Sequence, residues 1–157
     1  MKSTVIDKDL GYKKIMESIK SIAANSPAVT VGIHAKEGSE SHAKTELTNV
    51  QLGTIHEYGL GVPERSFIRQ TFDMNRDKYQ KALDGAARGV SSGKASVVEG
   101  LKALGMFIVS TMQERIEKNS PQFKELAEVT KKRKGSSKPL IDTGQLKNSI
   151  TYVVNAK

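Results

Sequence analysis

The chain has 157 residues, 37% of them hydrophobic, no cysteine, no tryptophan and a net charge of +8. That length suits one domain over residues 1–157 with a modest aliphatic core, and the lack of thiols excludes disulfides and thiolate metal sites. The longest apolar run, residues 103–112 between Lys102 and Glu114, falls short of the ~20 apolar residues that cross a bilayer, so no membrane partner is expected.

Residues 6–25 predict a helix, because Leu10, Ile15, Ile19 and Ile22 recur at near-helical spacing with lysines between them. Asn25-Ser26-Pro27 ends it. Val29, Val31 and Ile33 then alternate as one face of a half-buried strand. Residues 36–46 are polar, without periodicity, and predict a mobile loop or contact arm. Val50, Leu52, Ile55 and Tyr58 mark a short helix, closed by the Gly-Leu-Gly-Val-Pro run at 59–63.

From Glu64 to Val90 a long helix is expected, with Phe72, Tyr79, Leu83, Ala86 and Val90 as its stripe. Glycines at 85, 89 and 93 weaken its far end and allow close packing or a bend. Residues 95–118 carry the clearest amphipathic pattern, Val97, Leu101, Leu104, Ile108, Met112 and Ile116, and are the expected core spine. Ser120 and Pro121 suit the start of a further turn, and 122–135 reads as a short helix or ordered loop. Asp142 and Gln145 have the spacing of a capping box, followed by a short helix with Leu146 inward and a closing strand with Ile150, Tyr152 and Val154 on one face. The fold class is α+β: a small antiparallel sheet packed by long amphipathic helices, with mobile polar loops. Two strands alone are marginal, so either further strands lie near 40–50 or a neighbouring subunit completes the sheet.

Little in the sequence points to catalysis. His56-Glu57 opens like the zinc-protease pattern H-E-x-x-H, but the second histidine position is Leu60, and one imidazole does not hold zinc. His34 and His42 stand elsewhere. No nucleophile elbow, P-loop or dinucleotide fingerprint occurs, so neither an enzyme nor a cofactor is expected. The strongest local feature is basic: Lys131, Lys132, Arg133, Lys134 and Lys138 put five positive charges in eight residues without an acid. A basic loop at 131–138 could contact DNA, each neutralised phosphate steepening the salt dependence by about 0.9. On spacing alone the cluster reads first as a solvated loop, and docking onto an acidic protein ring is a third option. A basic nucleic-acid-binding domain is thus one functional reading, weakened by dispersed charge and by aromatic residues at only 5%.

Two blocks carry a family resemblance. "IHEYGLGVPERSFIR" (55–69) supplies His56, Glu57, Tyr58 and Gly59, then Pro63, Arg65, Phe67 and Arg69. "NSPQFKELAEVTKKRKGSSKPLIDTGQLKNSITYVV" (119–154) supplies Pro139, Asp142, Thr143, Gly144 and Leu146. With the long helix between them, these resemble the tail-completion or neck proteins of tailed bacteriophages, also called virion morphogenesis or minor tail proteins. Glu64 departs from the alanine common in that family, and Phe123 stands where a bulkier aromatic is frequent.

The resemblance implies a structural virion protein, made in the host cytoplasm and placed in the neck or upper tail. It implies a homo-oligomeric ring, six-fold in the family picture, meeting a tail terminator, the tail tube or the head–tail connector, with possible non-specific contact to packaged DNA. In that frame Pro63 fixes the start of the long helix, Phe67 and Phe72 anchor it, the 142–146 turn sets the last strand, and the 36–46 and 131–138 loops are contact arms.

Overall fold

The computed structural model describes residues 11–41, 46–118, 123–134, 139–141 and 143–156. In chain order the elements are α1 (Tyr12–Asn25), β1 (Ala28–Ile33), α2 (Ala35–Gly38), α3 (Asn49–Tyr58), α4 (Arg69–Ser91), α5 (Val97–Glu117), α6 (Glu128–Lys134), α7 (Gln145–Asn148) and β2 (Ile150–Asn155).

α5 organises the fold, as its sequence predicts. Leu104, Ile108, Met112 and Ile116 stand four residues apart, so they line one side of the helix, and all four are buried. Each contributes roughly 1.5–3 kcal/mol of apolar burial. The helix starts at a reciprocal cap: Glu99 Oε2 accepts from Ser96 N at 2.7 Å, and Ser96 Oγ accepts from Glu99 N at 3.2 Å. Those hydrogen bonds from Ser96 hold the Glu99 carboxyl below its ordinary range. The cap is therefore complete above the usual glutamate pKa and is lost as pH falls through the depressed one.

α4 runs antiparallel to α5, with Gln70 bonded to Arg115, Tyr79 to Thr111, and Ala86 against Gly100. On another side of α5 lies the antiparallel pair β1–β2, in register from Ala28↔Asn155 to Ile33↔Ile150. Val29, Val31 and Ile33 pack against the core, as does Ile150 at the start of β2. The α+β class is thus as expected: a two-stranded antiparallel sheet on long helices.

Gly105 brings sheet and spine together. A Cβ there would stand 2.7 Å from the Tyr152 ring, well inside van der Waals contact. Gly105→Val is expected to cost about 1–3 kcal/mol through overpacking, read as a lower urea midpoint. Gly85→Ala is the contrasting case. Its nearest neighbour is the tip of Arg88 at 3.9 Å, so it should gain up to about 1 kcal/mol of helix propensity.

Several expectations are corrected. The long helix does not begin at Glu64. Residues 63–66 are non-helical and α4 starts at Arg69, because an outside acceptor captures its first amide groups. Pro63 therefore does not start that helix. Phe72 does not anchor it either, being 42% exposed, whereas Phe67 is fully buried. The 36–46 stretch is not simply a loop: α2 forms at 35–38 and Ser41 bridges Thr48, while 42–45 lie outside the described residues. The expected capping box at Asp142 does not start α7. Its N-cap position is Gly144 at φ +82°, which makes Gln145 the first helical residue and not the third. Thr143 Oγ1 lies 3.4 Å from Gln145 N instead, and Asp142 lies outside the described residues. No third strand pairs with the sheet among the described residues. The part of the N-terminal helix expected at 6–10, and Ser120 and Pro121, also fall outside them.

Candidate functional site

The first motif block folds around one carboxylate. α3 begins at a capping box of Thr48 and Gln51 and ends at Gly59, whose φ of +68° reverses the chain. A Cβ on Gly59 would meet the Glu64 backbone at 3.0 Å, so glycine is needed for both angle and space. The tight return lets Arg65 N donate to His56 O at 2.8 Å. It also brings 66–69 against the last turn of α3, where Glu57 points inward and is only 5% exposed.

Glu57 is the acceptor for the whole turn. Ser66 Oγ donates to it at 2.7 Å, Phe67 N at 2.8 Å, Ile68 N at 3.0 Å and Arg69 N at 2.9 Å. The N-cap residue of α4 is Ile68, which has no side chain able to accept these bonds. A carboxylate from a different helix thus takes the Phe67, Ile68 and Arg69 amides, Ser66 Oγ takes that of Gln70 at 3.1 Å, and the carboxylate faces the positive end of the α4 dipole. Arg69 adds Nε to Glu57 at 3.2 Å, and Nη2 to Glu57 O at 2.7 Å and to Glu64 Oε1 at 3.0 Å. Its guanidinium lies 4.4 Å over the Tyr58 ring.

Arg65 points the other way. It is 3% exposed and donates Nε to Lys124 O at 2.9 Å, Nη2 to Glu125 O at 3.2 Å and Nη1 to Pro63 O at 3.5 Å. Burial pulls its pKa below the usual arginine range; charge-assisted bonds to carbonyls offset that cost. The planar fork spans two successive carbonyls of the segment after α5, which a lysine would not do.

The second block is equally built in. Pro139 and Leu140 are buried, and Leu140 adopts φ +62°, a conformation that costs an L side chain roughly 1–2 kcal/mol. Leu146 is 1% exposed. Gln113 on α5 donates to the carbonyls of Lys147 and Ile150, each at 3.3 Å, and so pins α7 and the start of β2 to the spine. Thr143 is exposed.

The basic cluster is not the bare loop its sequence predicts. Residues 131–134 belong to α6, and 135–138, with Lys138, lie outside the described residues. Lys131 donates to Glu128 at 2.8 Å and Glu125 at 3.3 Å. Bonding to Glu128 first, then Glu125, raises its pKa. Acids just before the cluster are thus folded back onto it, one helical turn and one loop away. Lys132 is exposed.

His34 bridges the strands, its ring nitrogens 3.1 Å from Thr30 Oγ1 and 3.0 Å from Thr151 Oγ1. His56 is half-buried beneath the same turn as Glu57, and His42 lies outside the described residues. Among the described residues no group of acids and histidines could hold a metal ion, and no helix is long and apolar enough to cross a membrane. Sequence reading missed Ser66, Gln113 and Thr71, whose hydroxyl donates to Phe67 O at 2.6 Å. Their polar type gives no periodic signal; only their hydrogen-bond partners in the fold mark them.

Beside this scaffold lies an open cleft of about 500 Å³. Val29 and Val31 of β1, Ile68, Phe72, Ile108 and Met112 line its apolar part, and Glu64, Arg69 and Asp73 its polar part. No protein-family model, curated protein or solved structure matches the chain. The phage-protein resemblance therefore stands on the quoted residues alone.

Proposed function

We propose that this chain is a structural virion protein of a tailed phage, a ring subunit acting in tail completion and head–tail joining. The observation that carries this reading is the Arg65 clamp. Two blocks of resemblance about 60 residues apart in sequence are joined in space through one buried guanidinium and the carbonyls of Lys124 and Glu125. A motif whose members hold one another in the interior is what an assembly protein needs, since its surface must keep a fixed shape.

The sheet supports the oligomeric part. Neither β1 (AVTVGI) nor β2 (ITYVVN) contains a charge or a proline, the devices that normally keep edge strands apart. Among the described residues the outer edge of each strand pairs with no further strand, and β1 borders the cleft, which favours contact with neighbouring subunits. The partners in this reading are further copies in a ring, probed against six-fold symmetry, and the tail terminator, tube or connector, in the neck or upper tail. The runner-up, a nucleic-acid-binding domain, is weakened by the ion pairs that neutralise Lys131.

Negative-stain images of tails purified with and without this chain test the assignment. Density lost from the upper end of the tail without it supports the reading, and unchanged tails overturn it. Replacing Lys131–Lys134 with serine is expected to leave folding within about 1 kcal/mol, because exposed ion pairs contribute little, yet to lower infectious titre. Normal titres would remove the cluster from function, and loss of DNA affinity with normal assembly would favour the runner-up.

A further inference from the structure

α1 is the least anchored long element. Ile15, Ile19 and Ile22 form an apolar stripe, yet none of its residues is buried, and Ile19 and Ile22 remain 52% and 44% exposed. The stripe sits over Leu83, Ala86 and Val90 of α4 and Leu101 of α5, and together they enclose an apolar space of about 270 Å³. Charge matches as well as shape. Lys14 Nζ donates to Gly93 O at 2.9 Å in the α4–α5 turn, and its charge also reaches Glu99, whose carboxyl is held low chiefly by Ser96. The joint to β1 is short and strained: Ser26 adopts φ +41°, costly for an L residue, and Pro27 stiffens the next position.

We propose that α1 is an exchangeable arm that leaves its own body and seats in the α4–α5 groove of a second copy of this chain. An element with few buried contacts opens at low cost. Once open, its stripe and Lys14 match the same groove on any other copy, so the occupant is defined by the contacts already present within one chain. Release also relaxes Ser26, and short strained joints favour such exchange. Reciprocal exchange gives a two-fold dimer, whereas serial exchange from copy to copy gives a ring or filament. The inference deepens the ring-subunit reading by naming what links neighbours. Its test needs no virion, so failure of one leaves the other standing.

The chain has no cysteine, which makes single-thiol variants clean probes. Ile19→Cys carrying a large tag and Leu83→Cys carrying a small one are mixed, allowed to exchange, and treated with a short bis-maleimide. A covalent product bearing both tags is expected, several-fold above the yield when Val153→Cys, on the exposed sheet face, replaces Leu83→Cys. Ser26→Gly in both partners should lower that yield roughly fivefold, because glycine takes positive φ without the steric penalty. Overturning results are a mixed-tag yield no higher than the Val153→Cys control, or reaction only within one chain in the Ile19→Cys, Leu83→Cys double variant. An unchanged yield with Ser26→Gly would overturn the strained joint as the cause of release.

Discussion

Glu57→Ala is expected to lower the unfolding free energy by roughly 3–5 kcal/mol. Truncation leaves the Phe67, Ile68 and Arg69 amides and the Ser66 hydroxyl without the acceptor they share, in a place where Glu57 itself is only 5% exposed. Arg69 is half exposed on its side chain and keeps Glu64 and solvent, so little of the loss comes from its charge. Arg69→Ala should accordingly cost only about 1 kcal/mol. Glu57→Gln retains one acceptor oxygen and should fall between the two. For a domain with a total of about 5–15 kcal/mol, the alanine variant approaches unfolding. Urea denaturation gives the ranking, and hydrogen exchange at residues 67–69 gives the location. An alanine variant within 1 kcal/mol of the parent would mean that another group caps α4.

Leu104→Asp is the second large effect. Leu104 is 8% exposed on α5, within the buried hydrophobic cluster. An ion there carries several kcal/mol of desolvation cost, added to the 2–5 kcal/mol that Leu104→Ala alone should lose. The chain is expected not to fold. Met106→Asp provides the control on the same helix. Met106 is 57% exposed, so its substitution should stay within about 0.5 kcal/mol. A soluble Leu104→Asp protein with native circular dichroism and a cooperative melt would overturn the core as described.

Together the two variants separate kinds of stabilisation. Leu104 acts through area removed from water, which any apolar residue of similar volume supplies. Glu57 acts through direction: five donors converge on two oxygens, and an apolar isostere supplies none of that. Loss at Leu104 should therefore be partly recovered by Met or Ile, and loss at Glu57 by no apolar residue.

The amino-acid sequence by itself determined the α5 stripe, the β1 alternation, the inward Leu146 and the α+β class, because each depends on spacing of four residues or two along one segment. Helical and pleated geometry convert such spacing directly into faces. The 55–69 and 119–154 blocks were set apart by the resemblance they carry. Only the tertiary structure decided what holds those blocks. Where α4 begins depends on a carboxylate twelve residues earlier; what Arg65 does depends on carbonyls about sixty residues later; and whether Lys131 is a free cation depends on Glu125 and Glu128 turning back on it. The physical reason is the same each time. A local pattern fixes which way a side chain points, but a buried donor or charge is satisfied by whatever partner the folded chain brings to within 3 Å or so, and no spacing rule names that partner in advance.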